Sequence, residues 1–119
     1  MKIKLSEILA SKEALSKILD QELPIKTSFK LTKLVKFLDP ELKNIEDHRI
    51  KLIKKYGEET EEGEVAVKGI DNIRQFNTEF SSLLDEEIEI DFEPIPIDSL
   101  EKVVLNAADV MRIEKFVLQ

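Results

Sequence analysis

The chain has 119 residues, 42% of them apolar and 36% charged, with three Gly, four Pro and no Cys. That length and apolar content give one domain with a real core and exclude collagen-like and Pro/Gly-rich disordered classes. The missing cysteines exclude disulfides, thiol chemistry and Cys-ligated metal sites, and the net charge of −7 disfavours general nucleic-acid binding.

The first element runs from Lys4 to Glu22, where Leu5, Ile8, Leu9, Leu15, Ile18 and Leu19 recur at helical spacing. Its start falls near Ser6, and Pro24 ends it by forcing the residue before it out of the α region. Glu7, Lys12, Glu13, Lys17 and Asp20 break up any signal-peptide apolar block. No run approaches the roughly 18–20 apolar residues of a membrane span. A soluble, intracellular protein is the expectation.

The second element is the longest. Leu31, Val35, Leu38, Leu42, Ile45, Arg49, Leu52 and Tyr56 follow a 4-3-4-3 spacing, the seam of a coiled coil or of a long packed helix. Pro40 removes a backbone donor inside it. Asp39 could cap a second helix in line, but the seam keeps its register, which predicts one helix over 27–56, kinked near 39–40 and stopped at Gly57.

Residues 58–71 read as a loop or hairpin, with Val65 and Val67 alternating as in a short strand. A third helix is predicted over 71–84, with Ile73, Phe76, Phe80, Leu83 and Leu84 on one face. Ile88, Ile90 and Phe92 then alternate with Glu87, Glu89, Asp91 and Glu93, a strand with one buried and one acidic face. Pro94 and Pro96 keep it at an edge or end it. A closing helix falls within Leu105–Leu118, with Asn106 as N-cap and Asp109 in its first turn. The fold expected is α+β and mostly helical. It has a long central helix in a helical hairpin, a small two-stranded antiparallel sheet and a short C-terminal helix, all in a single domain over 1–119.

Charge is divided along this order. Residues 1–56 hold 13 of the 18 basic and 8 of the 25 acidic groups, a net of +5, and residues 57–119 carry −12. Two such halves attract each other, or attract two different partners.

Catalytic patterns are not found. His48 is the only histidine, so no triad or multi-His metal set can be assembled within one chain. Gly57, Gly63 and Gly69 match no phosphate-binding motif, and Glu58–Glu64 lacks the alternation of a calcium loop. No cofactor and no metal site is expected. The row Glu87, Glu89, Asp91 and Glu93 reads as an edge strand guarded by charge, or as a surface for a basic partner. Lys26, Lys30, Lys33 and Lys36 form a basic face, continued by Lys43, Lys51, Lys54 and Lys55. No aromatic side chain is assigned to that face and its one arginine is Arg49, so base stacking and base readout are poorly served. Arg49 on the apolar seam calls for a carboxylate from 85–93 or 101–114, or else sets register between two chains.

Three segments together resemble a known group. They are the Leu-Pro-x-Lys start of the long helix (23–26), its Lys-Leu-Ile-Lys-Lys-Tyr-Gly end (51–57), and the Leu-Leu-Asp-Glu-Glu-Ile-Glu-Ile-Asp turn (83–91). In this order they are similar to a family of small bacteriophage and prophage proteins whose domain has no assigned function. The resemblance covers roughly residues 5–117 and is one of packing and turning patterns, so no active site carries over from it. Pro40 departs from the family's pattern. What the resemblance implies is a small accessory protein of viral origin, in the host cytoplasm and incorporated in the virion if structural.

The expectation is therefore a non-enzymatic phage protein working through protein–protein contacts, as a virion structural or assembly component. Its partner would be itself, as a homo-oligomer, or other virion proteins. One host protein is the partner under the alternative, an acidic inhibitor that occludes a host or anti-phage defence protein. A nucleic-acid-associated role ranks below both, and no membrane partner is expected. The interaction residues expected are Arg49 with the seam (Leu31, Val35, Leu38, Leu42, Ile45, Leu52, Tyr56) and the row Glu87, Glu89, Asp91 and Glu93.

Overall fold

The structure, a computed structural model, describes residues 1–119. It is α+β and mostly helical, built on one long helix. In chain order the elements are β1 (Lys2–Lys4), α1 (Leu5–Leu19), α2 (Ile25–Tyr56), β2 (Gly57–Glu59) and β3 (Val65–Val67). There follow α3 (Ile70–Leu84), β4 (Glu87–Glu89), β5 (Ile95–Pro96), α4 (Ala107–Arg112) and β6 (Val117–Leu118), with 3₁₀ turns at Ile97–Leu100 and Glu114–Phe116.

The 32 residues of α2 span about 48 Å at helical rise, which accounts for the 50 Å long axis of the molecule. The helix runs unbroken through Pro40. Pro40 lies on the side open to water, so the Lys36 carbonyl that loses its donor can bond solvent instead. Residues 20–24 turn the chain between α1 and α2, and Pro24 takes the N-cap position.

The core lies where α1, the first two-thirds of α2 and the C-terminal segment meet. Ile8, Ile18, Leu31, Leu34, Leu38, Ile90, Ile95, Ile113 and Phe116 are buried there. Leu34 falls outside the 4-3 seam, because a helix packed on two sides buries a wider stripe than a coiled-coil seam does. Between Ile45 and Ile90 no residue is buried. In that arm α3 lies along the C-terminal half of α2, and the β2–β3 hairpin caps the end.

Three two-stranded ladders complete the fold, and the strand expected over 87–93 is shorter than its alternation suggested. β1 pairs antiparallel with β4, setting Lys2 opposite Glu89, Ile3 opposite Ile88 and Lys4 opposite Glu87. β2 and β3 form the hairpin over 57–67, turned at Gly63 with φ +82°. β5 and β6 pair in parallel, Ile95 opposite Val117. Asn106 caps α4 through its side chain, which accepts from the Asp109 N–H at 2.8 Å.

Candidate functional site

The two oppositely charged halves are joined within the chain. The amino group of Met1 meets Glu89 Oε1 at 2.9 Å, Lys17 Nζ meets Asp109 Oδ2 at 2.6 Å, and Lys55 Nζ meets Glu79 Oε1 at 3.1 Å. Lys115 and Glu7 close the same circuit with the signs reversed, at 2.8 Å. The hydrogen bond from the amino terminus holds the Glu89 carboxyl below its usual range, with Lys2 adding to the effect. Met1 and Lys2 thus supply counter-charge for Glu89, and Lys4 lies opposite Glu87 in the ladder. Asp91 and Glu93 lie beyond the β1–β4 ladder, exposed and in no ion pair.

The seam is spent on the protein's own core over its first part. Leu31, Leu38 and Ile45 are buried, while Val35, Leu42 and Leu52 are half-buried. Tyr56 turns toward α3, where its hydroxyl donates to Glu79 Oε1 at 2.9 Å. Arg49 takes its carboxylate from one turn earlier on its own helix: Nε and Nη2 donate to the two oxygens of Glu46 at 2.9 and 2.6 Å. The remote acid expected for it is replaced by this local pair, because Arg49 sits at the solvent margin of the seam, where its neighbour on the helix surface is within reach. His48 is exposed and its Nδ1 faces the Asn44 carbonyl oxygen at 2.8 Å.

The surface left unspent is on the other side of α2. At 100° per residue, Ile25, Phe29, Lys33 and Lys36 fall within an arc of about 80°, opposite the buried stripe. Ile25 is 73% exposed, Phe29 64% and Phe37 42%. Phe29 and Phe37 therefore stand among the four lysines, a correction to the reading of that face as without aromatics. The signal was available: both fall outside the seam, where the helix has no core to reach.

One flank of this face borders the 91–93 segment across a groove of about 610 Å³. Lys30, Lys33 and Lys36 form one wall, Asp91 and Glu93 the other, with Leu34, Phe37 and Phe92 between them. Phe92 is fixed from beneath by an edge-to-face contact with buried Phe116, ring centroids 6.1 Å apart. The walls carry opposite charge, yet no ion pair crosses between them. A second hollow, of about 310 Å³, opens between the 3₁₀ turn after β5 and α4, lined by Ile97, Leu100, Val110 and Met111 among others.

No three His, Cys, Asp or Glu side chains are grouped to hold a metal ion. No helix is long and apolar enough to cross a membrane. Compared with protein-family models, with curated proteins and with solved structures, the chain gives no match.

Proposed function

We propose that this is a non-enzymatic accessory protein of a bacteriophage, acting through protein–protein contacts as a virion structural or assembly component. The observation that carries the contact reading is the outer face of α2, where Ile25, Phe29 and Phe37 are exposed side by side with Lys26, Lys30, Lys33 and Lys36. Large apolar side chains gathered on a face and rimmed by charge are the usual make-up of an association surface. The viral assignment is supported by the resemblance of the 23–26, 51–57 and 83–91 segments to small phage proteins.

The test is mass spectrometry of purified particles, together with capture of the tagged protein from infected or prophage-induced cells. Recovery with capsid, portal or tail proteins, lost on Phe29→Asp, supports the assembly role. Absence from particles, with no particle protein captured, overturns it. Recovery of a single host protein instead would make the protein an inhibitor.

A further inference from the structure

We infer that the groove between α2 and the 91–93 segment is a self-association surface, occupied by the same groove of a second copy of this chain. The inference rests on the reading that the protein works through protein contacts, and it names the partner.

The argument is one of symmetry and charge. A two-fold contact brings a patch against itself, so the patch must be complementary to its own rotated copy. A uniformly basic or acidic patch fails this condition by repelling itself. The groove meets it: lysines on one wall, carboxylates on the other and apolar side chains between them. A two-fold axis running along the groove exchanges the walls. Lys33 and Lys36 of one copy then face Asp91 and Glu93 of the next, twice over, and the Phe37 and Phe92 rings of the two copies meet at the centre. The two α2 helices run parallel in this arrangement.

Two further observations favour a second copy over other occupants. The charges on the two walls are free, since Lys30, Lys33, Lys36, Asp91 and Glu93 take part in none of the six ion pairs of the molecule. They can pair across an interface without first breaking an internal bridge. The acidic wall also repels phosphate, so a nucleic-acid backbone laid along the lysines would meet Asp91 and Glu93 across the same groove.

The experiment is sedimentation equilibrium at low salt and at about 0.5 M salt, where screening confines charge interactions to a few ångströms. The wild type is expected at twice its 13.7 kDa mass at low salt, falling toward the single-chain mass as salt rises. One variant carries Lys33→Glu with Lys36→Glu, the other Asp91→Lys with Glu93→Lys. All four positions are exposed, and circular dichroism checks that both variants fold. Each alone is expected to self-associate at least about tenfold more weakly. Mixed in equal amounts they are expected to form a heterodimer, because one groove then carries four carboxylates against Lys30 alone and the other is wholly basic.

A wild type that stays at single-chain mass at every salt concentration overturns the inference. So does a dimer indifferent to both variants, or folded variants that fail to combine. Binding of a single-stranded oligonucleotide by a monomeric wild type, abolished by Lys33→Glu with Lys36→Glu, would assign the lysines to phosphate and also overturn it. The two readings fail separately. A dimer absent from particles keeps this inference and removes the assembly role, whereas a monomer built into particles does the reverse.

Discussion

At the scale of single residues the charge that matters most for folding is Asp109, the one buried ionisable side chain. Lys17 and Arg112 both reach it, at 2.6 and 3.1 Å, and its own N–H is taken by Asn106. The hydrogen bond from Lys17 holds its carboxyl below the usual range, against the opposing effect of burial. Because the folded value is depressed, the stabilisation is present in full above the ordinary value of 3.8 and is lost as the pH falls below it. Urea denaturation across that interval should show the wild type losing more stability than Asp109→Asn, which has no proton to take up there. Equal losses would mean that Asp109 is not held ionised by the fold. Asn106→Ala should cost about 0.5–2 kcal/mol, the usual worth of an N-cap, read from the same denaturation curves. The cap was legible in the sequence because it acts over three residues. The Lys17 partnership was not, since nothing local joins positions so far apart in the chain.

At the scale of elements, the molecule divides into parts that are anchored and parts that are only apposed. Leu34→Ala empties a site in the core and should cost about 2–5 kcal/mol. Ile73→Ala on α3, where the side chain is 44% exposed, should stay within about 0.5 kcal/mol. Similar costs at the two positions would mean that α3 is packed as firmly as α2. Gly57 joins α2 to the hairpin in a space with no room for a methyl group. A Cβ there would collide with the Ile53 carbonyl oxygen and lie 2.7 Å from Val65 Cγ1. Gly57→Ala should therefore cost about 1–3 kcal/mol, with the loss of amide protection concentrated in β2 and β3. The elements found from sequence were those with local signals: the 3.6-residue period of α2 and α3, the valine alternation of β3, the capped start of α4. β1 was missed because Lys2–Ile3–Lys4 is too short to carry a period, and its pairing with β4 is set by the chain's return to its own beginning. The parallel β5–β6 ladder was missed for the same reason. The proposed association surface was half legible. The lysines and the acidic row were read as charged faces, with Phe29 and Phe37 missed, but only the fold brings Lys33 and Asp91 to the two sides of one groove.

At the scale of the whole molecule, the radius of gyration of 17.3 Å exceeds the about 13.5 Å of a compact chain of this length. The excess comes from the arm beyond Ile45, where α2, the hairpin and α3 lie together without one buried side chain. Hydrogen exchange should therefore be graded along α2 itself. Amides in its core-facing N-terminal part should open only with global unfolding, and those past Ile45 by cheaper local opening. Uniform protection along the helix would contradict this. Apart from Lys17–Asp109, the ion pairs that join the two charged halves lie at the solvent-exposed surface and are worth little in water. The buried Asp109 pair is poorly reached by salt, so added salt should lower the denaturation midpoint only slightly. The same arm has a consequence for how the sequence can vary. Phe80, Leu83, Leu84 and Ile88 pack half-buried against the core, but no apolar side chain from 46 to 79 is tied to it, so those can be exchanged for others of different size at small cost. A scan of substitutions at the apolar positions should accordingly show a step in tolerance at Ile45, strict at the buried positions before it and permissive after it, with strictness returning from Phe80.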